Sequence, residues 1–164
     1  PHIVSGWAEI SNQRGHTKSN VGGSVYFYHS SDGGNTNLRA VNGGAISNAT
    51  WYHVVGTFKS GANNLKIYVN GTNVASDTPV GSTVFNGSAA FEIGRAEGPF
   101  AGSSNQYFDG IIDEVGVWSR ALNSAEITEL YNGGSGLAYP FGATAAQQFS
   151  PSGGVAYSQG ACMF

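Results

Sequence analysis

Lys66-Ile67-Tyr68-Val69-Asn70-Gly71-Thr72-Asn73-Val74 decides the fold class. β-Branched and aromatic residues flank an Asn-Gly pair. Both central positions of a two-residue hairpin need positive φ, which Asn and Gly reach at least cost. Runs of the same character recur at 24–29, 38–41, 51–59, 65–69, 72–76, 90–94 and 107–118, each bounded by Gly, Asn or Ser. Many short strands joined by such turns predict an all-β, two-sheet antiparallel jelly-roll sandwich.

Composition supports that reading. The chain has 164 residues, enough for one domain with a sizeable core. Gly, Ser and Asn fill more than a third of it, and all three are unfavourable in helix interiors. Hydrophobic residues make up 40 % and aromatics 12 %, which opposes disorder. The formal charge is −3 with no basic cluster, so nucleic acid is not an expected partner. No apolar run approaches the length of a membrane span, so no membrane insertion is expected. Cys162 is the single thiol, which leaves no internal disulfide and no thiolate metal cluster.

One helix is expected, over about 124–132. Asn123 is placed as N-cap and Glu126 three residues on, the capping-box spacing, with Leu122 and Ile127 at staple positions. Ile127, Leu130 and Tyr131 form its apolar face, and Gly133-Gly134 ends it. From Leu130 to Phe164 there is no charged side chain. The chain therefore reads as a sandwich over 1–140 and an uncharged extension over 141–164, the latter either a flexible extension or a segment that packs on other chains or on a missing part of the molecule.

Trp51-Tyr52-His53-Val54-Val55-Gly56-Thr57-Phe58, Lys66-Ile67-Tyr68-Val69-Asn70-Gly71, Phe91-Glu92-Ile93-Gly94, Phe108-Asp109-Gly110-Ile111-Ile112-Asp113-Glu114-Val115-Gly116-Val117-Trp118 and Arg120-Ala121-Leu122 follow one another in order. Together they resemble the laminin-G-like and pentraxin-like domains of the concanavalin A-like jelly rolls, over about 46–139. The resemblance implies a non-catalytic module outside a cell, on a cell surface or on a virion. Such a module binds a glycan or protein surface, sometimes through calcium. A structural or decoration subunit of a larger assembly is the alternative, and a glycoside hydrolase-like enzyme a remoter one. Family members carry further strands before the segment resembling residues 3–10. The sandwich is therefore expected to be completed by another chain, or by a strand from its own uncharged tail.

Candidate site residues fall into three groups. For calcium, Asp32, Asn35 and Asn37 supply oxygens in a Gly-softened loop. Resemblance adds a second position at Glu97, although the acidic run that pentraxins place there is mostly lost. For a glycan, Tyr26 and Tyr28 share a strand face, and Tyr107 and Asn105 stand nearer the loops. A structural role is expected for Trp51 and Trp118 in the core, for Asn123 and Glu126 at the helix cap, and for an Asp113–Arg120 pair. Asp113 shares a strand face with Ile111, Val115 and Val117, so it should be buried and hydrogen-bonded to Arg120 or to backbone near the helix.

Catalysis has little support. Asp109 and Asp113, on a regular strand, would stand roughly 13 Å apart, beyond the ~5 Å of retaining and the ~6.5–9.5 Å of inverting hydrolases. No Gly-x-Ser-x-Gly elbow and no HExxH occurs, and His2, His16, His29 and His53 have no evident acid partner.

Overall fold

The computed structural model describes residues 3–5, 18–19, 23–85, 90–96, 106–137 and 160–163. Its strands are β1 (Val4–Ser5), β2 (Lys18–Ser19), β3 (Ser24–Ser30), β4 (Leu38–Ala45), β5 (Val54–Phe58), β6 (Leu65–Val69), β7 (Thr72–Asp77), β8 (Glu92–Ile93), β9 (Arg95–Ala96), β10 (Gln106–Tyr107), β11 (Gly116–Trp118) and β12 (Gly160–Met163). The helix α1 spans Ser124–Tyr131. A five-stranded sheet has the order β11-β12-β5-β6-β7 and a three-stranded sheet the order β2-β3-β4. All pairings are antiparallel, and β1–β8 and β9–β10 form two short ribbons.

The hairpin forms as its sequence requires. Asn70 has φ 50 and Gly71 φ 76, with Val69 and Thr72 paired across them. This two-residue geometry carries the right-handed twist of the strands through the turn.

The five-stranded sheet is covered on both faces. On one, Val54, Phe58, Leu65 and Ile67 meet Val25, Phe27 and Val41 of the three-stranded sheet. On the other, Val55 and Tyr68 meet Trp118, Leu122, Ile127 and Leu130. Every residue of β5 is consequently buried. Gly56 makes the sheets' close approach possible, because a Cβ there would run into the Phe27 ring. Tyr26 and Tyr28 alternate with the buried Val25, Phe27 and His29 along β3, as a half-covered strand demands.

The uncharged tail supplies an internal strand. Residues 160–163 pair with Val55–Phe58 on one side and with Gly116–Trp118 on the other. Of the two routes to a completed sandwich, the structure displays the one that uses the chain's own tail.

The helix carries the full capping box. The Asn123 side chain accepts from the Glu126 N–H at 3.0 Å, and the Glu126 carboxylate accepts from the Asn123 N–H at 2.8 Å. Leu122 and Ile127 are both buried. The helix stops at Asn132, which takes the left-handed conformation with φ 47, one residue before the glycines.

Three expectations are corrected. The 107–118 run is not one strand: only Gln106–Tyr107 and Gly116–Trp118 pair, and Glu114 at φ 52 breaks the extension between them. The face alternation assumed for Asp113 therefore fails, and Asp113 is exposed, its Oδ1 accepting from the Glu114 N–H at 2.9 Å. Arg120 pairs with Glu126 instead, through Nη1–Oε2 at 2.8 Å and Nη2–Oε1 at 2.6 Å. Trp51 is 64 % exposed, because β5 begins only at Val54 and residues 51–53 lie outside its ladder; Trp118 is buried.

Candidate functional site

The expected glycan residues are spread over different elements. Tyr26 and Tyr28 stand on the outer face of the three-stranded sheet, their rings 5.9 Å apart, with the Asn42 amide donating to the Tyr26 hydroxyl at 3.2 Å. Tyr107 is exposed on the β9–β10 ribbon, opposite Arg95. Asn105 lies outside the described residues.

The expected calcium loop is a hydrogen-bonded turn. Asp32 Oδ1 accepts from the Gly34 N–H at 2.8 Å and from the Ser30 hydroxyl at 3.1 Å, while Oδ2 accepts from the Asn37 amide at 2.8 Å. The Gly34 N–H first, and then the two side-chain donors, hold the Asp32 carboxyl below its ordinary value. Asn35 is exposed, and Glu97 lies outside the described residues. Among the described residues no three His, Cys, Asp or Glu side chains converge as a metal-binding group.

The structure assembles a different site, on the helix-covered side of the five-stranded sheet. A pocket of about 370 Å³ opens between the segment before β5, the β6–β7 turn, the segment before β11 and the end of the helix. Trp51, Tyr52 and His53 come from the first and Asn70 from the second; Asp113 and Glu114 come from the third and Tyr131 from the fourth. The turn after the helix closes it with Ser135 and Leu137. That turn is held by the Asn132 amide donating to the Gly136 carbonyl at 2.9 Å and by the Gly136 N–H donating to the Tyr131 carbonyl at 3.2 Å.

Each wall has a local cause. Asn70 must be left-handed for the hairpin, and its side chain then reaches the start of β5, where Oδ1 accepts from the His53 N–H at 3.0 Å. The Tyr52 hydroxyl accepts from the Ser47 N–H at 3.1 Å, which fixes the segment carrying Trp51. The left-handed backbone at Glu114 stores strain of ~1–3 kcal/mol, and Asp113 and Glu114 both line the pocket.

His53 is the unusual group. Its ring lies 5.8 Å from that of Tyr131. Both ring nitrogens are shut off from solvent and have no hydrogen-bond partner. Burial lowers its pKa to about 4, so the imidazole is neutral at neutral pH. Buried polar atoms without partners are rare in native proteins; His29 Nδ1 in the core is another here.

Of this pocket, the sequence reading had named Trp51 and Asp113, both for the wrong reason. The convergence of Asn70, Glu114 and Tyr131 on them depends on tertiary structure.

A family model described as concanavalin A-like lectin/glucanases superfamily matches residues 3–128. Comparison with curated proteins gave no match, and neither did comparison with solved structures. No helix among the described residues is long and apolar enough to cross a membrane.

Proposed function

Because the chain belongs to the concanavalin A-like lectin/glucanase superfamily, we propose that it is a carbohydrate-binding module whose ligand seats in the Trp51 pocket. The carrying observation is Trp51 itself, 64 % exposed on the wall of a concave site. An indole left in water costs apolar hydration unless a partner covers it. The C–H face of a pyranose is such a partner, and Asn70, Asp113, Glu114 and Ser135 stand around it as acceptors and donors for ring hydroxyls. The cavity volume is at the lower end of the ~300–1,000 Å³ typical of small-molecule sites.

Binding without turnover fits the two carboxylates better than hydrolysis does. Apolar burial is one common way a glycosidase keeps its general acid protonated, and Asp113 and Glu114 are both exposed. The proposed place of action is outside a cell, on its surface or on a virion, where lectin-like modules meet glycans.

Trp51→Ala tests the reading. Titration of the full chain on a glycan array should show binding that Trp51→Ala reduces at least tenfold, with an unchanged melting temperature because the side chain is exposed. Undiminished glycan binding by that variant would place the ligand elsewhere. Release of reducing ends from a bound oligosaccharide would overturn the non-catalytic assignment.

A further inference from the structure

We infer that the ligand of this pocket is a cationic glycan, one that presents a free amino group in place of an N-acetyl or carboxyl substituent. The inference rests on the carbohydrate reading above and adds the charge of the sugar.

Three features of one sign meet there. Asp113 and Glu114 are adjacent in the chain, exposed, and both on the pocket wall. The helix points its C-terminal end at the same space through Leu130 and Tyr131. That end carries the negative pole of the helix dipole, and the last turn contains no basic residue to offset it. Among the described residues no Lys or Arg lines the pocket. His53 stays neutral near pH 7 and adds no positive charge. Arg120, the cation nearest in sequence to this helix, is spent on Glu126.

The cavity and its exposed indole, rather than the carboxylates alone, mark the site as one built for a ligand. Trp51 offers an uncovered apolar platform, and Tyr131 lines the same cavity. A protonated amine on a sugar ring could lie between the carboxylates and the Trp51 and Tyr131 rings, whose π-faces attract cations. A sugar carboxylate or sulfate in the same place would meet two like charges without compensation.

The test compares three oligosaccharides of equal length against the full chain by calorimetry: a glucosamine oligomer at a pH where its amines are protonated, its fully N-acetylated counterpart, and a uronic acid oligomer. The glucosamine oligomer should bind about tenfold more tightly than the acetylated one, from two partly screened charge pairs. The uronate should not bind. The preference should shrink at high salt, and the ratio should fall towards one in Asp113→Asn combined with Glu114→Gln. Equal binding of the amino and acetyl forms, or preference for the uronate, would overturn the charge inference and leave the carbohydrate reading standing. Binding of a lysine-rich peptide with none of the sugars would overturn the carbohydrate reading. Binding of none of these probes would overturn both.

Discussion

His53 and Asn70 hold each other by two hydrogen bonds. The His53 N–H donates to Asn70 Oδ1 at 3.0 Å, and the Asn70 N–H donates to the His53 carbonyl at 2.8 Å. One residue thus turns the β6–β7 hairpin and pins the segment that carries Trp51. Scaffold and site meet at that contact.

Separating the two roles gives the first prediction. Asn70→Gly keeps the left-handed turn but removes the side-chain acceptor, and should cost about 1 kcal/mol. Asn70→Ala removes both and should cost about 2 kcal/mol. Glycan affinity should fall in both variants, by more than stability alone explains. Denaturant melts and titrations on the same preparations check this; equal stability of the two variants would contradict the turn assignment.

Acidification should destabilise the protein well above the carboxylate range. His53 has its pKa lowered to about 4 by burial. His29, stacked on Phe58 with ring centroids 4.0 Å apart, is lowered by burial too, the Thr83 carbonyl opposing. Unfolded histidine takes up its proton near pH 6.5, so the unfolded chain binds more protons between that pH and about 4. The contribution is fully present above pH 6.5 and is lost as pH falls toward 4, on the order of 2 kcal/mol for His53 with its open side screened. Melting temperature should decline between pH 7 and 5, and His53→Gln should flatten the decline. A flat profile in the parent protein would refute it.

The cap predicts a separate loss. Glu126 accepts from Arg120 twice and from the Asn123 N–H. Arg120 first, and then the Asn123 N–H, hold its carboxyl below the usual value. Glu126→Ala should cost about 1–2 kcal/mol, while Asp113→Ala, exposed and bonded only to its neighbour's N–H, should change stability by less than ~0.5 kcal/mol. Thermal melts of the two variants should separate clearly, and reversal of the order would restore the Asp113–Arg120 pairing read from sequence.

The tail strand can be tested through its backbone alone. Ala161 pairs with Thr57 on one side and Trp118 on the other. Ala161→Pro removes a ladder N–H from an interior strand, and should cost ~3 kcal/mol or more. Protection of β5 amides from hydrogen exchange should drop with it. Unchanged melting and exchange would remove β12 from the sheet.

The sandwich was legible because its signals are local. The Asn70-Gly71 turn, the alternation of Val25 and Phe27 with Tyr26 and Tyr28, and the Asn123–Glu126 spacing each act within a few residues. The site was not, because its walls come from four separated segments. Trp51 was assigned to the core by its chemistry, yet the strand that would have buried it starts three residues later. Asp113 was placed by strand alternation, which a single left-handed residue at Glu114 cancels. Asp32 was named by residue type and spacing; the donors to its oxygens, Gly34, Ser30 and Asn37, are read only from the structure.

The position of β12 bears on how the molecule comes to be made. Its partner β5 precedes it by roughly a hundred positions, and contacts of such separation are slow to form. During synthesis, β5 must wait with one edge open, and β11 with no partner among the described strands, until residues 160–163 leave the ribosome. An unmet edge invites pairing with a neighbouring chain. Nascent copies on one message would thus be the period of greatest hazard, and premature termination anywhere after the helix would release chains with that gap unfilled.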